Sequence, residues 1–142
     1  MVIGDYGQVY ALWLGTPGMG LNTVDDSREG IGKYLKRNPG CSFVAEDGGA
    51  IVGVILCGHD GRRGVIHHTA VRPEKRRGGV GKALVEAALG ALRREGITKA
   101  WLVVKKNNES GNAFWERLGF ENRVDLTFRG ITLEPSLVSI DT

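Results

Sequence analysis

A chain of 142 residues has room for one domain with a real hydrophobic core, and 42% hydrophobic with 25% charged residues is ordinary for a soluble globular protein. The net charge of +3 is too weak to argue for nucleic acid, and no apolar run approaches the about 18 residues that a membrane helix needs. Two cysteines, Cys41 and Cys57, make neither a disulfide framework nor a metal cluster.

The amino terminus lacks the basic start of a signal peptide, so the expected compartment is the cytoplasm, with the cysteines as reduced thiols. Asp5 can cap a first helix whose apolar side is Val9, Tyr10, Leu12 and Trp13. Gly15 to Gly20 then break the chain. A weaker helix is predicted from about Asp26 to Arg37, stopped by Asn38-Pro39-Gly40. Cys41–Glu46 and Ala50–Gly58 read as strands joined by the hairpin signal Asp47-Gly48-Gly49. A turn at His59–Arg62 leads into a third strand, Gly64–Val71. From Val80 the apolar residues fall at helical spacing as far as Gly96, which closes the helix. Trp101–Lys105 is a short apolar strand. SGNAFWERLGF reads as a helix with Gly119 at its end and Phe120 packing back, and Val124–Leu133 should finish the fold as strand.

No repeat or linker interrupts this order, so a single domain spans residues 1–142. Hairpins followed by a β-α-β unit predict an α/β (α+β) fold whose central sheet is mixed and mainly antiparallel, flanked by helices.

The densest chemistry lies between the third strand and the third helix. VRPEKRRGGVGKALVEAAL carries Arg72, Lys75, Arg76, Arg77 and Lys82 beside Gly78, Gly79 and Gly81. A helix start offers unpaired N–H groups to an anion, glycines let a phosphate approach the backbone, and Arg76 and Lys82 can add charge-assisted contacts. A P-loop is excluded, because Arg76 stands five positions before Gly81 and Ala83 follows Lys82 where a hydroxyl is needed. A dinucleotide fingerprint fails at Leu84, where its third glycine belongs. What remains is R-x-x-G-x-G, met by Arg76, Gly79 and Gly81.

With this motif in place, HHTAVRPEKRRGGVGKALVEA and NESGNAFWERLGF resemble two segments of the GNAT superfamily of N-acetyltransferases, in that family's order and spacing. More loosely the chain resembles an uncharacterised bacterial subgroup of it. The resemblance implies acetyl-CoA as co-substrate, no metal, and direct transfer of the acetyl group to a primary amine of a small molecule or peptide. A protein N-terminal or lysine acetyltransferase, and a coenzyme A-binding protein with little turnover, are the alternatives. Nucleic acid and membrane are not expected partners, and a homodimer is compatible with the resemblance. It also implies that Arg76, Arg77, Gly78, Gly79, Val80, Gly81 and Lys82 wrap the pyrophosphate. The main chain at Ala70 and Val71 meets the pantetheine arm, and Asn108 and Trp115 line it.

Chemistry needs a base for the amine. His67 and His68 are adjacent, so on a regular strand they face opposite ways, with His67 on the side of Val65, Thr69 and Val71. His67 is therefore the candidate base, with Glu46 as another, while His59 falls in a turn. Asp25, Asp26 and Glu29 either attract a cationic amine or cap a helix and face water. Two departures from the family stand out. Trp115 occupies the position of the usual tyrosine, leaving Ser110 or water to protonate the thiolate. The strand that usually precedes the first helix is short or missing, since only Met1 to Gly4 come before Asp5.

Overall fold

The computed structural model describes all 142 residues. No strand precedes the first helix: a 3-10 turn at Ile3–Asp5 leads straight into α1, Tyr6–Leu14. Asp5 caps that turn, its carboxylate accepting the Val2 N–H at 2.8 Å, and gives α1 no side-chain cap. The chain continues through β1 (Leu21–Asn22), α2 (Arg28–Arg37), β2 (Phe43–Asp47), β3 (Ala50–His59), β4 (Gly64–Val71), α3 (Val80–Arg94), β5 (Ala100–Trp101), α4 (Glu109–Arg117) and β6 (Ser139–Ile140). α2 begins as its sequence suggests, except that Ser27, not Asp26, is the cap; its hydroxyl accepts the Gly30 N–H at 3.0 Å.

The main sheet runs β2-β3-β4-β5, antiparallel except for the parallel pair β4–β5, and β1 pairs with β6 apart from it. β3 is buried on both faces. Ile55 and Cys57 pack with Leu84, Val85 and Ala88 of α3, while Val54 and Leu56 pack with Val9 and Trp13 of α1 and Ile31 of α2. Each fully buried Ile or Leu contributes about 1.5–3 kcal/mol, so β3 anchors the sheet firmly enough for β4 to carry an irregularity.

Two expected strands are cut back. Of Trp101–Lys105 only Trp101 is paired, with Ala100 before it, because β5 meets β4 at Gly64 and Val65 alone and then parts from it. Val124–Leu133 forms no strand: it has no ladder partner, and Val124, Leu126, Phe128, Ile131 and Leu133 are all exposed. No helix is long and apolar enough to cross a membrane.

Candidate active site

The site begins with a break in register. Val54 pairs with Ala70 and Leu56 with His67, so His68 and Thr69 together oppose Ile55. This is a β-bulge, which leaves one residue out of the ladder and re-aims the side chains around it. The bulge holds His68 at φ +28, a conformation that non-glycine residues seldom adopt.

The alternation assumed from sequence therefore fails here. Both histidines turn toward α1 and α2. The His67 ring meets Tyr34 of α2 edge-on at 5.9 Å, and the His68 ring meets Trp13 of α1 edge-on at 5.1 Å. Their centroids lie 6.2 Å apart. Past the bulge, Ala70 joins the α1–α2 core, whereas Val71 packs toward α3 and α4. His67 does not share a face with Val71.

His68 has a partner that sequence reading passed over. Its Nε2 lies 2.7 Å from Oδ1 of Asp26, whose side chain is only 4% exposed. The other carboxylate oxygen accepts the Asn22 N–H at 2.7 Å, and the Asp26 carbonyl accepts the Tyr6 hydroxyl at 2.7 Å. Asp26 is thus neither a helix cap nor a solvated acid, while Asp25 and Glu29 are exposed. The available signal was the run Asp25-Asp26-Ser27: with Ser27 able to cap α2, one acid was free to turn inward.

A carboxylate only accepts, so Nε2 carries a proton, and whenever the ring is neutral Nδ1 is the acceptor. Nδ1 makes no hydrogen bond within the protein, and Tyr34 Oη is the only enclosed side-chain polar atom without a partner, so Nδ1 reaches solvent. His67 differs. Burial, with the neighbouring His68 charge second, pushes its imidazole below the usual histidine range, and Asp26 and Asp25 pull weakly the other way. His67 is therefore neutral at neutral pH. Glu46 is exposed on β2, which β3 separates from β4, and His59 closes β3 with Nδ1 accepting the Gly61 N–H at 3.0 Å.

Beyond Val71 the chain turns through Pro73–Lys75 and enters α3. Lys75 is tied to Asp47 of β2, and Arg76 Nε donates to the Val71 carbonyl at 3.1 Å, which pins the turn to the end of β4. The first helical bond of α3 runs from the Ala83 N–H to the Gly79 carbonyl at 3.0 Å, and the N–H groups of residues 77–82 meet no acceptor in the protein. Gly79 takes φ +84 with open space where a side chain would be, and Arg77 is also left-handed at φ +62. Arg76, Arg77 and Lys82 stand exposed around these groups. Gly81 is glycine for a different reason: a Cβ there would lie 3.1 Å from the Phe114 ring of α4.

On α4, Asn108 is the helix cap, accepting the Gly111 N–H at 2.9 Å, and the Ser110 hydroxyl donates to it at 3.4 Å. Asn112, unremarked in the sequence, ties α4 to the chain following β5 by donating to the Lys105 carbonyl at 3.0 Å. Trp115 is half-buried between Phe114 and Phe120, edge-on to each at 5.0 Å, so packing accounts for its size.

A parallel strand pair that parts at Val65, ahead of the bulge, leads into a basic helix start with six unpaired N–H groups, an arrangement suited to a phosphate-bearing ligand. The family model described as "Acetyltransferase (GNAT) family" matches residues 8–120, and the chain belongs to that family. It is 32% identical over 123 residues to an acetyltransferase of Photorhabdus laumondii, covering 84% of this chain and 82% of that one. Among solved structures it resembles the ribosomal-protein-S18-alanine N-acetyltransferase from Escherichia coli, with a TM-score of 0.71 and 21% identity over 87% of this chain and 76% of the other. It also resembles an aminoglycoside acetyltransferase from an uncultured soil metagenomic sample, with a TM-score of 0.73 and 18% identity over 94% and 93%. The family makes the protein an acetyltransferase that uses acetyl-CoA.

Proposed function

We propose that this enzyme moves the acetyl group of acetyl-CoA directly onto a primary amine of a small molecule or peptide, with His68 and Asp26 as its base. The observation that carries this reading is the buried carboxylate holding Nε2 of a histidine whose Nδ1 is open, set by the bulge just past the point where β4 and β5 part. We prefer His68 to His67, because no carboxylate orients the His67 ring.

The donor supplies an activated acyl carbon on a good leaving thiolate. The N–H groups of residues 77–82, with Arg76, Arg77 and Lys82, are the groups suited to its diphosphate. The main chain of Ala70 and Val71 guides the pantetheine arm, and an N–H freed by the bulge serves the carbonyl oxygen. An amine is protonated at neutral pH, with a pKa of about 8 at a chain terminus and about 10.4 on lysine, so a proton must leave before nitrogen attacks. His68 Nδ1 takes that proton and Asp26 stabilises the imidazolium. The N–C bond then forms, the C–S bond breaks, and the extra proton left on the attacking nitrogen passes to the thiolate through water or the Ser110 hydroxyl. Asn108 and Trp115 shape the α4 side of the cleft.

The neighbours named for a ribosomal-protein alanine and for aminoglycosides put polypeptide and small-molecule amines in the same acceptor screen. The test is a thermal-shift titration with acetyl-CoA, with ATP and NAD as controls, followed by release of free thiol across a panel of amines. Ligand at a hundred times its dissociation constant stabilises by about 2.7 kcal/mol. A shift with acetyl-CoA alone and thiol release with an amine are expected. Absence of any acetyl-CoA shift in folded protein would sink the proposal.

A further inference from the structure

One apolar surface is unused by this chemistry. Apart from half-buried Leu137, residues 121–138 run exposed between two fixed points. The Phe120 N–H is bonded to the Trp115 carbonyl at one end, and at the other Thr23 exchanges hydrogen bonds with Val138 before β6 pairs with β1. Within this stretch VDLTFR alternates, with Val124, Leu126 and Phe128 apolar and Asp125, Thr127 and Arg129 polar. That is the pattern of a strand with one covered face. Nothing in the chain covers it: Val124 is 88% exposed, Phe128 74% and Leu133 88%.

The same chain carries an unfilled counterpart. β5 is the last strand of the sheet, so its outer edge has no neighbour, and Trp101 and Val103 are exposed beside that edge. A free strand edge is a template for another strand. We infer that a second copy of this chain fills it, the 124–133 segment of each copy adding to the outer edge of β5 in the other. Arm and edge belong to one sequence, so a two-fold axis satisfies both at once with the same patch from each copy.

The area agrees. An aliphatic side chain offers roughly 60–120 Å² and an aromatic one about 150–250 Å². Weighted by their exposures, Val124, Leu126, Phe128, Ile131, Leu133, Trp101 and Val103 present apolar surface on the order of 600 Å². A standard interface takes about 800 Å² per partner, rather more than half of it apolar. Apolar surface of this extent left in water often marks an interaction site.

The experiment is sedimentation velocity from about 1 to 100 µM, on the unaltered chain and on Phe128→Asp. Position 128 faces water in the single chain, so the substitution leaves the fold unthreatened. A second arm mixes two separately purified single variants, Val103→Cys and Leu126→Cys, under mild oxidation, where only contact between copies can join them. A dimer that Phe128→Asp shifts to monomer, with the mixed pair cross-linking, is the expected result. A monomer throughout, a dimer indifferent to Phe128→Asp, or no cross-link in the mixed pair would each overturn the inference.

Discussion

Asp26→Asn changes one atom of the proposed base at almost constant volume. In the native site one carboxylate oxygen faces His68 Nε2 and the other faces the Asn22 N–H, each at 2.7 Å. Asparagine has one oxygen, so its amide nitrogen must face one of these two groups. Facing Asn22, it sets two donors against each other in a site 3% exposed, which costs about 1–3 kcal/mol. Facing His68, it donates to Nε2 and forces the proton onto Nδ1, the atom that has to accept from the amine. Catalysis is lost in the second case and stability in the first; turnover also suffers in the first, because the imidazolium loses its countercharge. The expected outcome is a folded protein whose thiol release at pH 7 falls by about 10² to 10⁴, the usual worth of a general base. Where the amide nitrogen faces Asn22 the melting temperature drops by about 4–12 °C, taking roughly 4 °C per kcal/mol at this size, and where it faces His68 the melting temperature holds. Acetyl-CoA affinity is unchanged, since residues 77–82 are untouched. Raising the pH should restore rate as the amine loses its proton unaided. Full activity at pH 7 in a folded Asp26→Asn protein would refute the assignment.

Gly79→Val and Gly81→Leu should separate two meanings of glycine within one motif. At Gly79 the strain is local, about 1–2 kcal/mol at φ +84, and the loss expected is at least about tenfold in acetyl-CoA affinity by thermal-shift titration. At Gly81 the new side chain meets Phe114, so the ligand-free protein itself should lose about 1–3 kcal/mol in urea unfolding. For His67, burial holds the folded imidazole below the unfolded value of about 6.5, so the unfolded state binds more protons and stability falls as pH drops below that value. His67→Gln should flatten the melting temperature between pH 7.5 and 5.5, and equal slopes in both proteins count against it. Trp115→Ala should cost about 3 kcal/mol through lost packing between Phe114 and Phe120, with Trp115→Phe recovering most of it.

The helices and the antiparallel strands were legible because each carries its own period and punctuation. Val80 to Gly96 shows a core stripe with a glycine stop, and Asp47-Gly48-Gly49 marks a hairpin. Three features were not legible, for one physical reason: they depend on contacts between elements far apart in the chain. Trp101–Lys105 has strand composition, yet it is paired only where β4 lies beside it. Val124–Leu133 has the alternation of a strand but no partner in its own chain. Asp26 is one of two adjacent acids before a helix, and only the fold brings it to a residue forty-two positions later. The glycines of the loop were found in sequence, but their reasons were not: φ at Gly79 and the neighbouring ring at Gly81 look alike as letters.

The bulge links these observations. A regular β4 with His67 toward α1 and α2 would send His68 toward α3, away from Asp26, and Ala70 and Val71 would exchange faces. One extra residue opposite Ile55 turns both histidines to the same side, frees main-chain hydrogen-bonding capacity at that point, and sets Val71 over α3, where Arg76 fastens the basic turn. The strain at His68 is therefore tied to the site's construction. It is sustained by Trp13 Nε1 donating to the His68 carbonyl at 3.1 Å, by the Asp26 carboxylate on the ring, and by β3 buried on both sides beneath it. Deleting Thr69 to regularise the ladder should accordingly remove activity while relieving the strain, an outcome that a bulge serving only sheet twist would not produce.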